Sequence, residues 1–299
     1  MRTRASHVLV LVALVSLLPV RCLCFAAASP DSVRIASWNI LNLGAKTPVG
    51  NRAHVIAQYD IVALQEVESL TGLERLRAAV KKETGVPWKT VVSARVGKGN
   101  AAEYYAFLYR ADRVSAIKGP LGVYPQSSAT SFSRPPFYAT FKAGEFDFTL
   151  ITIHVTFATP TSKRTKEVQR LKNVWLYVQA LDPKENDVLL MGDFNRNRPT
   201  HSAFAPLRDQ LKLTYLITGD NTTFTTYGAR RNKIGGSWYD NIWMDARYTG
   251  KEYTGRAGID YTYQHFYTRD PYPHLKVRTT ISDHCPVWAV FNTAGPDDD

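Results

Sequence analysis

The sequence predicts an α/β domain in which two β-sheets pack together with helices outside. Three observations lead there. Short apolar runs of strand length alternate with helical segments along the whole chain. The strand-like runs are rich in aromatic and β-branched residues. No internal repeat and no long Gly/Ser or Pro linker divides the 299 residues, a length that allows one large domain or two ordinary ones. Hydrophobic residues make up 44% and charged residues 21%, which excludes disordered, collagen-like and low-complexity classes.

The elements follow in order. Residues 33–40 alternate in polarity and read as a strand. Residues 59–65 form a buried strand after a short helix. Residues 69–83 carry Leu70, Leu73, Leu76 and Val80 at helical spacing. Residues 104–109 and 146–155 are strands. Residues 163–181 make the clearest helix. Val168, Leu171, Val174, Trp175, Val178 and Leu181 fall on one face. Lys163, Arg164, Lys166, Arg170 and Lys172 populate its start and its other face. Residues 187–191, 238–244 and 286–291 complete the set of strands.

The N-terminus has a different logic. Arg2 and Arg4 precede an apolar run over residues 8–20, and Ala26, Ala27 and Ala28 follow. That order is a secretory signal with a small-residue cleavage site. The expected division is residues 1–28 as signal peptide and residues 29–299 as a single mature domain, secreted to an extracellular or periplasmic space. Cleavage removes three arginines and no acid, so the net charge falls from +11 to +8. Cys285 alone survives it, so the mature monomer expected here has no internal disulfide. Past the signal, no stretch approaches the ~20 apolar residues of a membrane span, and no stable membrane association is expected. The positive surplus suits an acidic partner such as nucleic acid, and equally serves solubility.

Candidate chemistry lies where polar residues end the apolar strands. Asn39 ends the first and Glu66 the second. A carboxylate directly after an apolar run is costly to bury unless paired or bound to a cation, although it could simply emerge into a loop. His154 ends the run Thr149 to Ile153. Asp193 and Asn195 lie two apart after Val188 to Met191, so in extended geometry they face the same way, with Phe194 turned to the core. Asp240 sits inside a strand, where an acid needs a partner. Asp283 and His284 are adjacent before the last strand, and a turn there would let both serve one site. Each signal is weak alone; six strand ends carrying two histidines, several carboxylates and two asparagines are not. No zinc-type His/Cys spacing, Walker loop or Gly-x-Ser-x-Gly elbow appears. Oxygen ligands favour Mg²⁺, Mn²⁺ or Ca²⁺, and two histidines beside a hard cation suit phosphate-ester hydrolysis.

These motifs, in this order, resemble the endonuclease/exonuclease/phosphatase superfamily. They run from Ser37-Trp38-Asn39-Ile40 and Gln65-Glu66-Val67 through Ile153-His154 and Gly192-Asp193-Phe194-Asn195. Tyr239-Asp240 and Ser282-Asp283-His284 complete them. The segments Glu103 to Arg110, Phe132-Ser133-Arg134-Pro135-Pro136 and Ile281 to Val287 resemble its deoxyribonuclease I-like branch. The resemblance implies a four-layer α/β sandwich with two central mixed β-sheets flanked by helices. It implies Glu66 as principal metal ligand, with Asn39 and Asp283 close by, and Mg²⁺ or Mn²⁺ as the ion, with Ca²⁺ a further candidate. His284, oriented by Asp240, would activate water. His154, paired with Glu103, would protonate or stabilise the leaving oxygen. Asp193 and Asn195 would hold metal or the scissile phosphate, and Arg134, Asn241 and Arg196 would contact substrate. The implied activity is hydrolysis of DNA phosphodiester bonds within the strand, with little sequence preference, giving 5′-phosphate and 3′-hydroxyl ends.

There are departures. Glu68 and Leu41 stand where that branch has arginines, and Ala101 where it has a groove-stacking tyrosine. Phosphate contacts are therefore expected from Lys163, Arg164 and Lys166, from Arg230, Arg231 and Lys233, and from Arg196 and Arg198. The rival readings are a phospholipid phosphodiesterase or phosphatase on the same scaffold, a nuclease toxin subunit, and a binding protein without catalysis.

Overall fold

In the computed structural model, residues 31–127, 131–157, 159–231, 233 and 235–295 are described. The expected signal peptide, residues 1–28, lies outside them. In chain order the elements are β1 Ser32–Asn39, α1 Gly50–Ile56, β2 Ile61–Val67, α2 Leu70–Thr84, β3 Trp88–Val92 and β4 Tyr104–Arg110. Then come β5 Ser115–Val123, β6 Phe137–Ala143, β7 Phe146–His154, α3 Thr161–Leu181 and β8 Val188–Asp193. The last are β9 Thr214–Tyr215, α4 Thr226–Ala229, β10 Asp240–Met244, β11 Tyr253–Ile259, α5 Pro273–Thr280 and β12 Val287–Asn292.

The strands form two six-stranded sheets, ordered β11-β12-β1-β2-β4-β3 and β5-β6-β7-β8-β10-β9. Each has one parallel pair near its middle, β1 with β2 and β7 with β8, and antiparallel neighbours. A parallel pair needs a crossover, and α1 and α3 supply the two. Both parallel pairs therefore deliver their C-terminal ends to the same kind of place. Asn39 pairs with Gln65 at one end, and His154 with Asp193 at the other.

The apolar residues sort into three layers. Ile35, Ile61, Phe107, Phe141, Phe148, Leu150, Met191 and Phe291 fill the space between the sheets. Ala36, Trp38, Val62 and Leu64 face outward from the first sheet onto Leu73, Leu76 and Val80 of α2. Ile151, Ile153, Leu190 and Trp243 face outward from the second onto Val168, Leu171, Val174, Trp175 and Val178 of α3. Burial on both faces explains why central strands such as β2 and β8 are apolar without alternation. The result is helix, sheet, sheet, helix, as expected. Leu181 departs from expectation: it closes α3 and is 46% exposed. Ser69 caps α2, accepting the Gly72 N–H at 3.4 Å.

Candidate active site

The two sheets meet at their polar strand ends, and Gln65 joins them there. Its Nε2 donates to Ser37 Oγ at 3.1 Å in its own sheet and to Thr152 Oγ1 at 2.9 Å in the other. Tyr105 of β4 does the same, its hydroxyl accepting the His154 N–H at 2.9 Å. These ties hold the tips of β1, β2 and β7 in register beneath the site.

Asp193 is the hub. It is 1% exposed, and its Oδ2 lies 3.5 Å from His154 Nε2, 3.6 Å from His284 Nε2 and 3.2 Å from Asn39 Nδ2. Its Oδ1 accepts the Asn195 N–H at 2.8 Å, and Asn195 Nδ2 donates to Val155 O at 2.8 Å. Asp193 and Asn195 do share a side, and Phe194 is fully buried against Phe204. The preceding Gly192 is required twice over. Its φ is +140°, and a Cβ there would lie 2.0 Å from Ile153 O.

Each histidine is held at Nδ1 by a carboxylate from the opposite sheet. His154, at the end of β7, lies 3.0 Å from Glu103 Oε2, just ahead of β4. His284, ahead of β12, lies 2.8 Å from Asp240 Oδ2 at the start of β10. A carboxylate only accepts, so Nδ1 carries the proton and Nε2 is left facing Asp193 in both. Burial opposes the charge of His284, but Asp240 and Asp193 outweigh it and hold its pKa well above the ordinary histidine value. Burial likewise opposes His154, and Glu103 overcomes it, raising that pKa too. Thr222 completes the Asp240 side, donating to Oδ2 at 2.6 Å while accepting the Asp240 N–H at 3.0 Å. Ser282 Oγ accepts the His284 N–H and donates to Asn39 O at 2.7 Å, tying the His284 turn to β1.

Glu66 reaches the site through a backbone irregularity. The β2–β4 register shifts between Leu64 and Val67, and Glu66 adopts φ +61°. That left-handed conformation costs about 1–2 kcal/mol in a non-glycine residue. It turns the carboxylate outward, where Oε1 accepts from Asn39 Nδ2 at 2.9 Å and Oε2 from Asn42 N at 3.0 Å. Asn39 Nδ2 thus bridges Glu66 and Asp193. Its amide dipole gives these carboxylates part of the positive charge that a cation would give in full. Glu66, Glu103, Asp193 and Asp240 face only two histidines and Arg134, so the donor set is short of positive charge even with both histidines protonated. Those residues fit a hard divalent cation. Asp193, Asp240 and His284 also place one ligand atom each within 4.8 Å of one another. In that group Asp240 Oδ2 is already engaged by His284 and Thr222.

Four sequence-based expectations change with the geometry. Asn241 points away from the site. It follows Asp240 in a strand, so its side chain takes the other face, accepting Ile217 N–H at 3.2 Å and donating to Ile217 O at 3.1 Å. Arg196 turns to His201, at 2.6 Å. Arg134 borders the pocket but spends its guanidinium internally. Nε donates to His154 O at 3.1 Å, Nη2 to Val155 O at 3.3 Å, and Nη1 lies 3.5 Å from Glu103. It is a clamp on Glu103 and on the chain after His154 before it is a phosphate grip. Asp283 pairs with Arg278 of α5 at 2.7 Å, and its charge adds to those favouring protonated His284. Sequence reasoning misses Thr222, Gln65 and Tyr105 as supports. Nothing local in the sequence marks them, because each acts on a partner far along the chain.

A cavity of about 400 Å³ opens over the site, lined by Glu66, Glu103, Arg134, His154 and Phe157, with Glu68 and Ala101 on its wall. Two of the three positions of departure from the resembled branch, Glu68 and Ala101, therefore face this cavity. Phe157 is 60% exposed at its rim, with the Arg164 guanidinium 4.2 Å from its ring centroid.

Two carboxylate-anchored histidines about a buried aspartate, on a two-sheet sandwich, define a hydrolytic phosphoesterase centre. The chain belongs to the endonuclease/exonuclease/phosphatase family, which residues 36–284 match. It is 32% identical over 284 residues to a deoxyribonuclease of Thioalkalivibrio sp. (strain K90mix), covering 89% of this chain and 72% of that one. It is 28% identical over 283 residues to pig deoxyribonuclease-1, covering 88% and 93%. Among solved structures, truncated Caenorhabditis elegans TDP2 is similar in fold, with TM-score 0.57 at 19% identity over 87% of this chain and 97% of that one. The human nocturnin catalytic domain matches with TM-score 0.56 at 16% identity, covering 89% and 96%. The chain is accordingly a hydrolytic enzyme, a nuclease or phosphodiesterase of this family.

Proposed function

We propose that the protein is a secreted, divalent-metal-dependent endodeoxyribonuclease with little sequence preference. The observation that carries this reading is the placement of both histidine Nε2 atoms about one carboxylate, at 3.5 and 3.6 Å, with both Nδ1 atoms anchored. Two ring nitrogens facing one spot can take a proton on one side of a phosphate and return one on the other. His284 Nε2 accepts the proton of the attacking water as its oxygen bonds to phosphorus. The bond from phosphorus to the 3′-oxygen breaks, and His154 Nε2–H protonates or steadies that oxygen. The products are a 5′-phosphate and a 3′-hydroxyl. Glu66, with Asn39 and Asp193, would hold Mg²⁺ or Mn²⁺, which neutralises charge growing on the phosphate. Deoxyribonuclease relatives across most of the chain support DNA as substrate. Residues 1–28 would be removed on export, leaving residues 29–299 as a monomeric catalytic domain. No described helix is long and apolar enough to cross a membrane.

The test is supercoiled plasmid incubated with the mature chain in Mg²⁺, with and without EDTA. Nicking that needs metal, leaves ligatable ends and disappears in His284→Ala is expected. Intact plasmid in every divalent metal would overturn the reading.

A further inference from the structure

A second cavity, of about 600 Å³, adjoins the catalytic one and shares Ala101 and Thr156 with it. Its walls come from different parts of the chain. Gly97, Lys98 and Ala101 form one side, Ser131–Ser133 another, and Lys163, Lys166 and Arg170 of α3 the third. Lys98, Lys163 and Lys166 are exposed and form no ion pair among the described residues. The lining has one acid, Glu167, and it is spent on structure. It is 5% exposed, and its two oxygens accept Ser133 N–H at 2.7 Å and Thr156 N–H at 2.9 Å. Glu167 thereby pins the Ser131–Ser133 wall and the chain at Thr156 to α3, while the four cations keep a net positive groove. Arg170 holds the rim, donating to Ser131 O at 2.6 Å. Arg164, between the two lysines in sequence, faces elsewhere and donates to Asn195 O at 3.2 Å.

The spacing suits a polyanion laid along the helix. Lys163, Lys166 and Arg170 are three and four residues apart, hence on one face. They span roughly 10 Å of helix axis at about 1.5 Å per residue. A nucleic-acid strand in a duplex presents a phosphate about every 3.4 Å of axis. We propose that this groove binds the phosphates of the substrate strand continuing past the scissile bond, taking over the grip that Glu68 and Ala101 do not provide. The inference rests on the nuclease reading. Contacts of this kind are sequence-independent, so the groove also accounts for low sequence preference.

The experiment uses the full mature chain made non-cleaving by His284→Ala, with a labelled duplex and anisotropy read between about 50 and 200 mM salt. Lys163→Gln with Lys166→Gln is expected to lower the slope of log K against log salt by about 2, near 0.9 per phosphate contact. Lys98→Gln alone, on the facing wall, is expected to lower it by about 1. Lys81→Gln with Lys82→Gln, the same charge change at the far end of α2, should leave the slope unchanged. Slopes equal to the parent's, or an equal loss in the α2 pair, would overturn the groove. Plasmid left intact in every metal by the chain that keeps His284 would overturn the nuclease reading, and the groove with it.

Discussion

The two sheets are built alike and finished differently. Each runs edge, antiparallel strand, parallel pair, antiparallel strand, edge, so β1, β2, β4 and β12 of one correspond to β7, β8, β10 and β6 of the other. The parallel pair of the first ends in two amides, Asn39 and Gln65; that of the second ends in His154 and Asp193. Glu103 stands ahead of β4 where Asp240 opens β10. Three residues ahead of β12 is His284; three ahead of β6 is Arg134. The pair His284–Asp240, at 2.8 Å, thus has Arg134–Glu103, at 3.5 Å, as its counterpart. One carboxylate faces a base that can release its proton, the other a cation that cannot. Glu103 then carries His154 as a second partner. The same skeleton yields a proton acceptor on one side and a clamped proton donor on the other.

The largest effect should come from the histidines. His284→Ala or His154→Ala should each lower kcat on plasmid by about 10³-fold, and the double variant should cost much less than the product. A double variant that multiplies the losses would mean that the two act independently. Next come the anchors. Asp240→Asn should lower kcat by about 10²-fold, while Thr222→Val, which removes one bond to Asp240, should cost a few-fold. Arg134→Met should act on stability instead. It removes the cation beside buried Glu103 and the bonds to His154 O and Val155 O, a loss of about 3 kcal/mol in urea unfolding. If it lowers kcat with stability unchanged, Arg134 touches substrate.

The smallest effect sharpens the comparison by pH. In metal-free protein burial opposes the charge of both histidines, but their carboxylate partners outweigh it and raise both above the ordinary value. A raised folded-state pKa contributes stability below the unfolded histidine value, and that stability is lost as pH rises through the raised value. The metal-free melting temperature should therefore decline as pH rises above about 6.5, and less steeply in Asp240→Asn. NMR titration placing either histidine below the ordinary value would contradict the environments described.

The legible part of the fold was its interior. Strands β1, β2, β4, β7, β8, β10 and β12 are inner strands with long buried runs; β6, Phe137–Ala143, is inner and buried too, yet the sequence reading does not pick it out. The four edge strands, β3, β5, β9 and β11, left little signal. Ser115–Val123 and Tyr253–Ile259 are half-exposed and glycine-containing, and Thr214–Tyr215 is two residues long. Site residues at strand ends stood out because polarity broke an apolar run. The strand parity that puts Asp193 and Asn195 on one side also sends Asn241 away from Asp240. What could not be read was mutual: the Glu66 bulge, the Thr222 support and the internal use of Arg134 depend on contacts across the two sheets.

The division of labour between the histidines is tested most directly with a nucleotide p-nitrophenyl phosphodiester, whose leaving group needs no proton. On that substrate His154→Ala should recover most of the parent rate, while His284→Ala should stay as impaired as on DNA. Equal impairment of both variants, or recovery by His284→Ala instead, would contradict the account.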